Sequence, residues 1–581
     1  MIRKRVRLLS IVLLMGLMLM SARLMQLQLF QTESFSKHKI NLIEESVAQR
    51  TQQLVIDEGR GQFLDRDGKP LTFHEKNVLV LFPFLKRIEW PVEEVARIIH
   101  VTPEIIETKL ESAKAPIVFG GKTPFQLSEE QMNEINGLKI QGVFAVTRKF
   151  KNEQIPASQL IGITGENTEV FHERYPDKVK GVHQKIGVTG MQEIFDEWLI
   201  SEEQSKLIYH VDAIGGPLFG ADVKYLAPAN PFYPLNIKTT IDQEMQVALE
   251  EVADAYNIEK GGLLLVDIEN STILANVSRP SMNQSNPFGG GAENYMLKVL
   301  APGSVFKTVV AAAAMEEGIV DESRLFNCDE DIYGKPAEKP HGMINIKSSI
   351  AASCNRTFAD LATELVEKEP NTLEEYAAKL GLLGDIAWTG DVFHYEDFSQ
   401  LQVSKGRVFV SDDERKDRNY IAQTGIGQRE VRVTPLGLVN MMATIARGGE
   451  KYMVRAATSI DYQNGTSMFS FPQKKIEGEK ISPFTAMKLQ QYLRGVVNSP
   501  EGTAPYLDTA LYKIAGKTGT AQTGKKQGGK ELYNKWFAGY FPFDEPKYAL
   551  VAVNMDVLIG EGGIYPIFKD SVDAVYKLDH E

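Results

Sequence analysis

The chain has 581 residues, room for about two to four domains of ordinary size. Hydrophobic residues make up 43% and charged residues 24%, which excludes wholesale disorder and a polytopic membrane protein. The 64 Lys and Arg against 76 Asp and Glu leave a net charge of −12, so nothing global attracts nucleic acid; two cysteines exclude a disulfide scaffold and a Cys-based zinc domain.

At the amino end, Arg3, Lys4, Arg5 and Arg7 precede residues 8–22, which carry no charge. That run is shorter than the ~20 residues that span a bilayer. Apolar character resumes after Arg23 as Leu24-Met25-Gln26-Leu27-Gln28-Leu29-Phe30. An arginine near a helix end reaches the interface with its head group, so one uncleaved anchor is expected within residues 1–30. Met20 is too large for a signal-peptidase site ending at Ala22. The basic cluster predicts a cytoplasmic amino terminus and an extracytoplasmic remainder.

Residues 31–50 are polar and helix-compatible, a stalk. Arg60-Gly61-Gln62-Phe63-Leu64-Asp65-Arg66-Asp67-Gly68-Lys69-Pro70 predicts strand, Asp-Gly turn, strand. Residues 75–225 mix short strands such as Val78-Leu79-Val80-Leu81-Phe82 with helical stretches such as 93–100, and none has a catalytic spacing. The Pro-containing stretch 225–234 reads as a linker. Beyond it, Asp242 is placed to cap an amphipathic helix, and residues 262–267 and 271–277 predict a strand pair. An Ala-rich helix is expected over 305–317, and strands return at 536–541 and 548–554. Strands at both ends with helices between describe an α+β layer protein.

In Pro302-Gly303-Ser304-Val305-Phe306-Lys307 a Pro-Gly turn opens that apolar helix. Serine and lysine three residues apart share a face. A serine hydroxyl needs an adjacent base, and a desolvated lysine is one. The helix amino terminus offers N–H groups to a developing oxyanion. Alone the pattern is weak, since S-x-x-K recurs by chance and a capping serine beside an ordinary lysine has the same look. Ser353-Cys354-Asn355 follows 49 residues after Ser304, and Lys517-Thr518-Gly519-Thr520 follows 213 residues after it, on a predicted strand. Gly519 has no side chain to keep a substrate backbone off that strand. The three motifs in this order are the set of β-lactamases and penicillin-binding proteins.

With them the chain resembles the class B (monofunctional) penicillin-binding proteins, D,D-transpeptidases of peptidoglycan synthesis. Arg60-Gly61 with Asp65-Arg66-Asp67-Gly68 is similar to the family's first amino-terminal signature, and Gly187-Val188-Thr189-Gly190-Met191-Gln192-Glu193 to its second. Residues 262–280, Gly425-Ile426-Gly427-Gln428, Val433-Thr434-Pro435-Leu436 and Trp536-Phe537-Ala538-Gly539-Tyr540 match transpeptidase segments. Gln192 stands where family members often have Glu, and Cys354 where many have Ser.

The resemblance implies an anchor over 1–30, a pedestal or dimerisation-like domain over 31–235 and a transpeptidase domain over 236–581. It implies Ser304 as the acylated nucleophile, Lys307 as its base and Ser353 as relay of the proton to the departing D-Ala amine. Lys517 assists the relay and anchors the substrate, and Asn355 binds the donor peptide. Thr518 and Thr520 bind the terminal carboxylate along Gly519, and the N–H groups of Ser304 and Thr520 form the oxyanion hole. The partners implied are D-Ala-D-Ala stem peptides, an acceptor amine, β-lactams and a separate lipid II polymerase; no cofactor or metal is required. The alternatives are a β-lactamase or D,D-carboxypeptidase, which pass the acyl group to water, and a β-lactam sensor or scaffold. No Glu-x-x-Leu-Asn pattern supplies a deacylating glutamate.

Three further features read as structural. His341-Gly342 has no metal or triad spacing. Residues 525–530, with Lys525, Lys526 and Lys530, suit a solvated hairpin tip, with contact to acidic wall polymer the alternative. Cys328 and Cys354, separated by 26, are expected as two buried thiols, with pairing left open because spacing carries no geometry.

Overall fold

The computed structural model describes residues 2–35, 40–121, 123–176, 185–200, 204–212, 223–226, 230, 232–283 and 286–581. The predicted linker at 225–234 therefore lies partly outside the described residues. The chain forms two compact units, a smaller one from residues 1–59, 74–150 and 202–229 and a larger one from 60–73, 151–201 and 230–581.

The smaller unit begins with α1 (Ile2–Met25), which runs on through one wider turn to Phe30. The apolar helix Arg3–Phe30 is 28 residues long, its most apolar 18-residue stretch has mean hydropathy 2.1, and it exposes most of its leucines and methionines. At 1.5 Å per residue it measures about 42 Å, more than the ~30 Å hydrocarbon core of a bilayer. The stalk contains a helix, Leu42–Gln49. Two three-stranded sheets follow, Thr51–Asp57 with Ser205–His210 and Lys224–Leu226, and Phe73–Leu81 with Ile117–Val118 and Val143–Lys151. Val78, Leu79, Val80 and Leu81 are buried without alternation, which is why that stretch reads as a continuous apolar run.

The larger unit is built on a five-stranded antiparallel sheet of β1 (Gly261–Asp267), β2 (Thr272–Arg279), β3 (Ala515–Gln527), β4 (Lys530–Phe541) and β5 (Tyr548–Val557), in the order β2-β1-β5-β4-β3. The first and last strands of this sheet in chain order, β1 and β5, thus lie side by side, and β3 is an edge strand among the described residues. Helix α2 (Gln243–Ala255) starts where Asp242 accepts the N–H of Met245 at 3.1 Å, the expected cap. It packs with the carboxy-terminal helix, Ile564–Leu578, against the sheet.

The helical layer comprises α3 (Lys307–Glu316), α4 (Ile346–Ala352), α5 (Asn355–Lys368), α6 (Arg418–Gly425), α7 (Pro435–Ala446) and α8 (Pro483–Asn498). Every α3 residue from Lys307 to Ala314 is buried. The expected α+β architecture is the one observed.

The 60–73 segment belongs to this larger unit. Phe63–Leu64 pairs in parallel with Asn236–Thr239, and the Asp65 carboxylate accepts the N–H groups of Asp67 and Lys69 at 2.9 and 2.7 Å, closing the Asp-Gly turn. Arg60 is buried beside Asp196 (2.8 Å) and donates to the Gln192 side-chain oxygen at 2.7 and 3.2 Å. A glutamine at 192 thus still accepts from the guanidinium.

Cys328 and Cys354 are not two thiols. They form a disulfide, the one departure from the buried-thiol expectation, because the fold brings their Cα atoms to 5.9 Å, within bridging range. Sequence separation carried no such information. His341 sits in the loop beside Cys328, its N–H on the Cys328 carbonyl, and its ring is exposed. The lysine tip is the Gly528-Gly529 turn joining β3 to β4, and Lys525 pairs with Asp556 at 2.9 Å.

Candidate active site

Four segments of the larger unit meet at one place. The Ser304 turn is a short 3-10 turn, Gly303–Phe306, that leads directly into α3. It is held from three sides. Trp536 on β4 donates its indole N–H to the Ala301 carbonyl at 3.1 Å. Leu300 and Val433 exchange backbone hydrogen bonds at 2.8 and 3.0 Å, and Gly303 donates to the Gly427 carbonyl at 3.0 Å. Gly303 has φ +54, and a Cβ there would stand 2.4 Å from the Thr520 carbonyl oxygen.

Ser304 is half-buried on this turn. Lys307, first residue of α3, is fully buried. Its Nζ lies 2.6 Å from the Ser353 carbonyl oxygen, 2.7 Å from Asn355 Oδ1 and 3.2 Å from Ser353 Oγ. Lys517, also fully buried, approaches from β3, with Nζ 3.0 Å from the same Ser353 Oγ and 3.2 Å from Thr518 Oγ1. Two amines therefore share one hydroxyl. In this state the Lys307 amine is engaged by Ser353 and Asn355, and among the described residues Ser304 Oγ has no hydrogen-bond partner.

Burial strips both lysines of water, and that drives their pKa values down. Lys307 falls well below the ordinary lysine value, with the neighbouring Lys517 charge adding to the effect. Lys517 is pushed down to about 7 by desolvation. A neutral lysine has two N–H donors and one lone pair. The lowered pKa of Lys307 favours that neutral form, whose lone pair can accept a hydroxyl proton.

Ser353 is shaped by the junction of α4 and α5. It ends α4 in the left-handed region at φ 58, ψ 38, a conformation that a non-glycine residue holds only at a cost of order 1–3 kcal/mol. Ser353 donates its N–H to Ile350 and Cys354 donates to Ser349. The disulfide fixes Cys354 from the other side, between Ser353 and Asn355.

Thr518 is buried and Thr520 exposed, both on β3. Gly519 serves a closer neighbour than a substrate. A Cβ on it would meet the Pro302 carbonyl oxygen at 2.6 Å and Val305 Cγ2 at 2.8 Å, so the glycine lets the strand lie against the Ser304 turn. All eight expected positions, Ser304, Lys307, Ser353, Asn355 and 517–520, thus belong to one locality. The residue reading alone assigned no place to two others. Thr503, in a Gly-Thr turn with no distinctive pattern, has its hydroxyl 3.1 Å from that of Thr518. Gln428, quoted above only as part of a matching segment, bridges Thr520 and Gln522.

Comparison with known proteins agrees with this arrangement. Residues 261–571 match the penicillin binding protein transpeptidase domain, and residues 55–225 match the penicillin-binding protein dimerisation domain. Stage V sporulation protein D of Bacillus subtilis (strain 168) is 24% identical over 538 residues, covering 87% of this chain and 75% of that protein. The peptidoglycan D,D-transpeptidase FtsI of Escherichia coli (strain K12) is 24% identical over 459 residues, 75% of this chain and 68% of that one. A solved chain from work on "Structural coordination of polymerization and crosslinking by a peptidoglycan synthase complex" superposes with a TM-score of 0.64 at 21% identity, over 99% of this chain and 98% of that one, and so shares its fold. Fold, motif geometry and matched domains converge: the chain belongs to the penicillin-binding protein transpeptidase family, as a class B penicillin-binding protein.

Proposed function

We propose that this chain is a membrane-anchored peptidoglycan D,D-transpeptidase that works through an acyl-enzyme on Ser304. The observation that carries the reading is the convergence of two desolvated lysines on the Ser353 hydroxyl, 3.2 and 3.0 Å away, beside the Ser304 turn. Lys307, neutral, accepts the Ser304 proton as Oγ attacks the carbonyl of the penultimate D-Ala. The new C–O bond places negative charge on the carbonyl oxygen, which the N–H groups of Ser304 and Thr520 stabilise. The proton passes from Lys307 by way of Ser353 to the leaving amine, the C–N bond breaks, and the terminal D-Ala departs. An acceptor amine then attacks the ester by the reverse route, and Ser304 regains its proton. Asn355 binds the donor peptide, Lys517 as a cation attracts the terminal carboxylate, and Thr518 and Thr520 hydrogen-bond it. A β-lactam mimics the dipeptide, opens its ring and stays attached, because its leaving group is not released.

The same reading gives residues 1–30 the role of a single-pass anchor with a cytoplasmic amino terminus, supported by Arg3, Lys4, Arg5 and Arg7 ahead of the apolar helix. It takes 31–235 as a pedestal or dimerisation-type region and 236–581 as the extracytoplasmic transpeptidase. A separate lipid II polymerase supplies the glycan strands; the match to a chain from a peptidoglycan synthase complex supports that partner.

The test is covalent labelling with a fluorescent penicillin. Wild-type protein is expected to retain the label through denaturing electrophoresis and Ser304→Ala to take up none. Label on the alanine variant sinks the nucleophile assignment. Release of hydrolysed drug within minutes replaces the reading with that of a β-lactamase.

A further inference from the structure

We infer that Gln428 is a positioning residue of the oxyanion hole: its side-chain amide holds the free edge of β3 against the nucleophile turn and so sets the spacing of the Ser304 and Thr520 N–H groups. The inference rests on the assignment of those two groups in the proposed function.

Strand β3 closes the sheet on one side, and among the described residues no strand pairs beyond it. In an antiparallel ladder the N–H and C=O of one residue face the same side. The Thr520 carbonyl faces away from β4, towards Gln428 and Gly303, so the Thr520 N–H faces the same open edge. Gln428 Nε2 donates to that carbonyl at 3.3 Å, and its Oε1 accepts the N–H of Gln522 at 3.3 Å. One primary amide thus satisfies the acceptor and the donor that a neighbouring strand would otherwise pair.

The other end of the same loop grips the nucleophile turn. Gly427 accepts from Gly303 at 3.0 Å, and a Cβ at Gly427 would stand 2.0 Å from the Gly303 carbonyl oxygen. A neighbouring residue, Val433, is bridged to Leu300. The loop therefore holds Ser304 through backbone contacts, which tolerate a change of side chain at 428. It holds Thr520 through the Gln428 amide, which does not. A carbonyl oxygen has two lone pairs, so Gln428 leaves one free for the N–H of a donor peptide lying along the edge.

The opposite edge of the sheet shows the same device. Gln246 of α2 accepts the N–H of Asn276 on β2 at 2.7 Å and donates to the Asn276 carbonyl at 3.1 Å. Gln246 is fully buried in the hydrophobic interior, whereas Gln428 is half-exposed beside Ser304. The device that only closes a sheet at one edge borders reacting atoms at the other.

Full-length protein in detergent, mixed with a chromogenic cephalosporin under stopped flow, gives the noncovalent Kd and the acylation rate constant separately. Gln428→Ala is expected to lower the rate constant by roughly 10- to 100-fold, with Kd changed by less than about threefold. Gln428→Glu, near in shape, keeps an acceptor for Gln522 but has no donor for Thr520 unless its carboxyl is protonated. Its rate relative to wild type is therefore expected to rise as pH falls from about 7 to 5. A purely structural role for the side chain gives no such profile. An alanine variant within about threefold of the wild-type rate constant overturns the inference, as does a glutamate-to-wild-type ratio flat with pH. Acylation of Ser304→Ala in the same assay overturns instead the reading on which the inference rests.

Discussion

In the proposed mechanism Lys307 and Lys517 perform opposite tasks with the same side chain, and the difference lies in what each faces. Lys307 looks onto a carbonyl, an amide oxygen and a hydroxyl, with the Phe358 ring 5.6 Å away, and among the described residues no carboxylate offsets its loss of solvent. Its charge is disfavoured, which suits the role of base proposed for it. Burial pushes Lys517 down to about 7, so both of its protonation states are accessible near neutral pH. The signs follow directly. Acid protonates Lys307 and removes the base, so acylation slows as pH falls. Alkali removes the Lys517 charge that attracts the substrate carboxylate, so acylation also slows as pH rises through about 7. A bell-shaped profile of the second-order acylation rate is expected, and Lys517→Arg, which keeps the cation at every accessible pH, should flatten its alkaline side. An unchanged alkaline limb in that variant would separate it from Lys517.

At the scale of elements, the α4–α5 junction shows what is legible from spacing and what is not. The Ser304–Lys307 spacing already placed both side chains at the head of a buried helix, because helical periodicity is local. The Ser353-Cys354-Asn355 motif was visible as residues, but its left-handed Ser353 and its bridge to Cys328 depend on a chain reversal across the β-ladder of Leu325–Asn327 with Met343–Asn345, which no local pattern encodes. Gly519 was legible as a residue needing no side chain, yet its neighbour, Pro302, lies more than 200 positions away. The disulfide closes a 26-residue separation, for which chain entropy lost from the unfolded state implies about 3.5 kcal/mol. Backbone bonds from Ser353 to Ile350 and from Cys354 to Ser349 hold the motif locally without it. Reduction, or Cys328→Ser, should therefore lower Tm by roughly 4 °C and change the acylation rate much less. Calorimetry with and without reductant decides this; equal melting temperatures would mean that the bridge constrains nothing in the unfolded chain.

Over the whole molecule, the compact units do not follow the chain in order. The local patterns at 60–70 and around Gly187-Val188-Thr189-Gly190 were readable, but the partners they bury against were not, since these are residues brought together by tertiary packing. Phe63, Leu71, Leu160, Ile161, Met191, Phe195 and Leu199 all lie in the hydrophobic core of the larger unit, each essentially inaccessible. Phe195 stacks edge-on against Phe398 and Phe471 at 5.2 and 6.0 Å. Burying seven such side chains contributes on the order of 10–20 kcal/mol. That matches or exceeds the net stability of about 5–15 kcal/mol of a typical domain. A fragment of residues 236–581, although it holds every catalytic motif, is therefore expected to be unfolded or aggregated and to take up no fluorescent penicillin. A chain beginning at residue 31 loses only the exposed helix, so it should remain folded, leave the membrane fraction and label at the wild-type rate. Labelling and circular dichroism of the two proteins side by side test this, and a cooperative melt with full labelling by the 236–581 fragment would show that the amino-terminal segments add no stability to the catalytic unit.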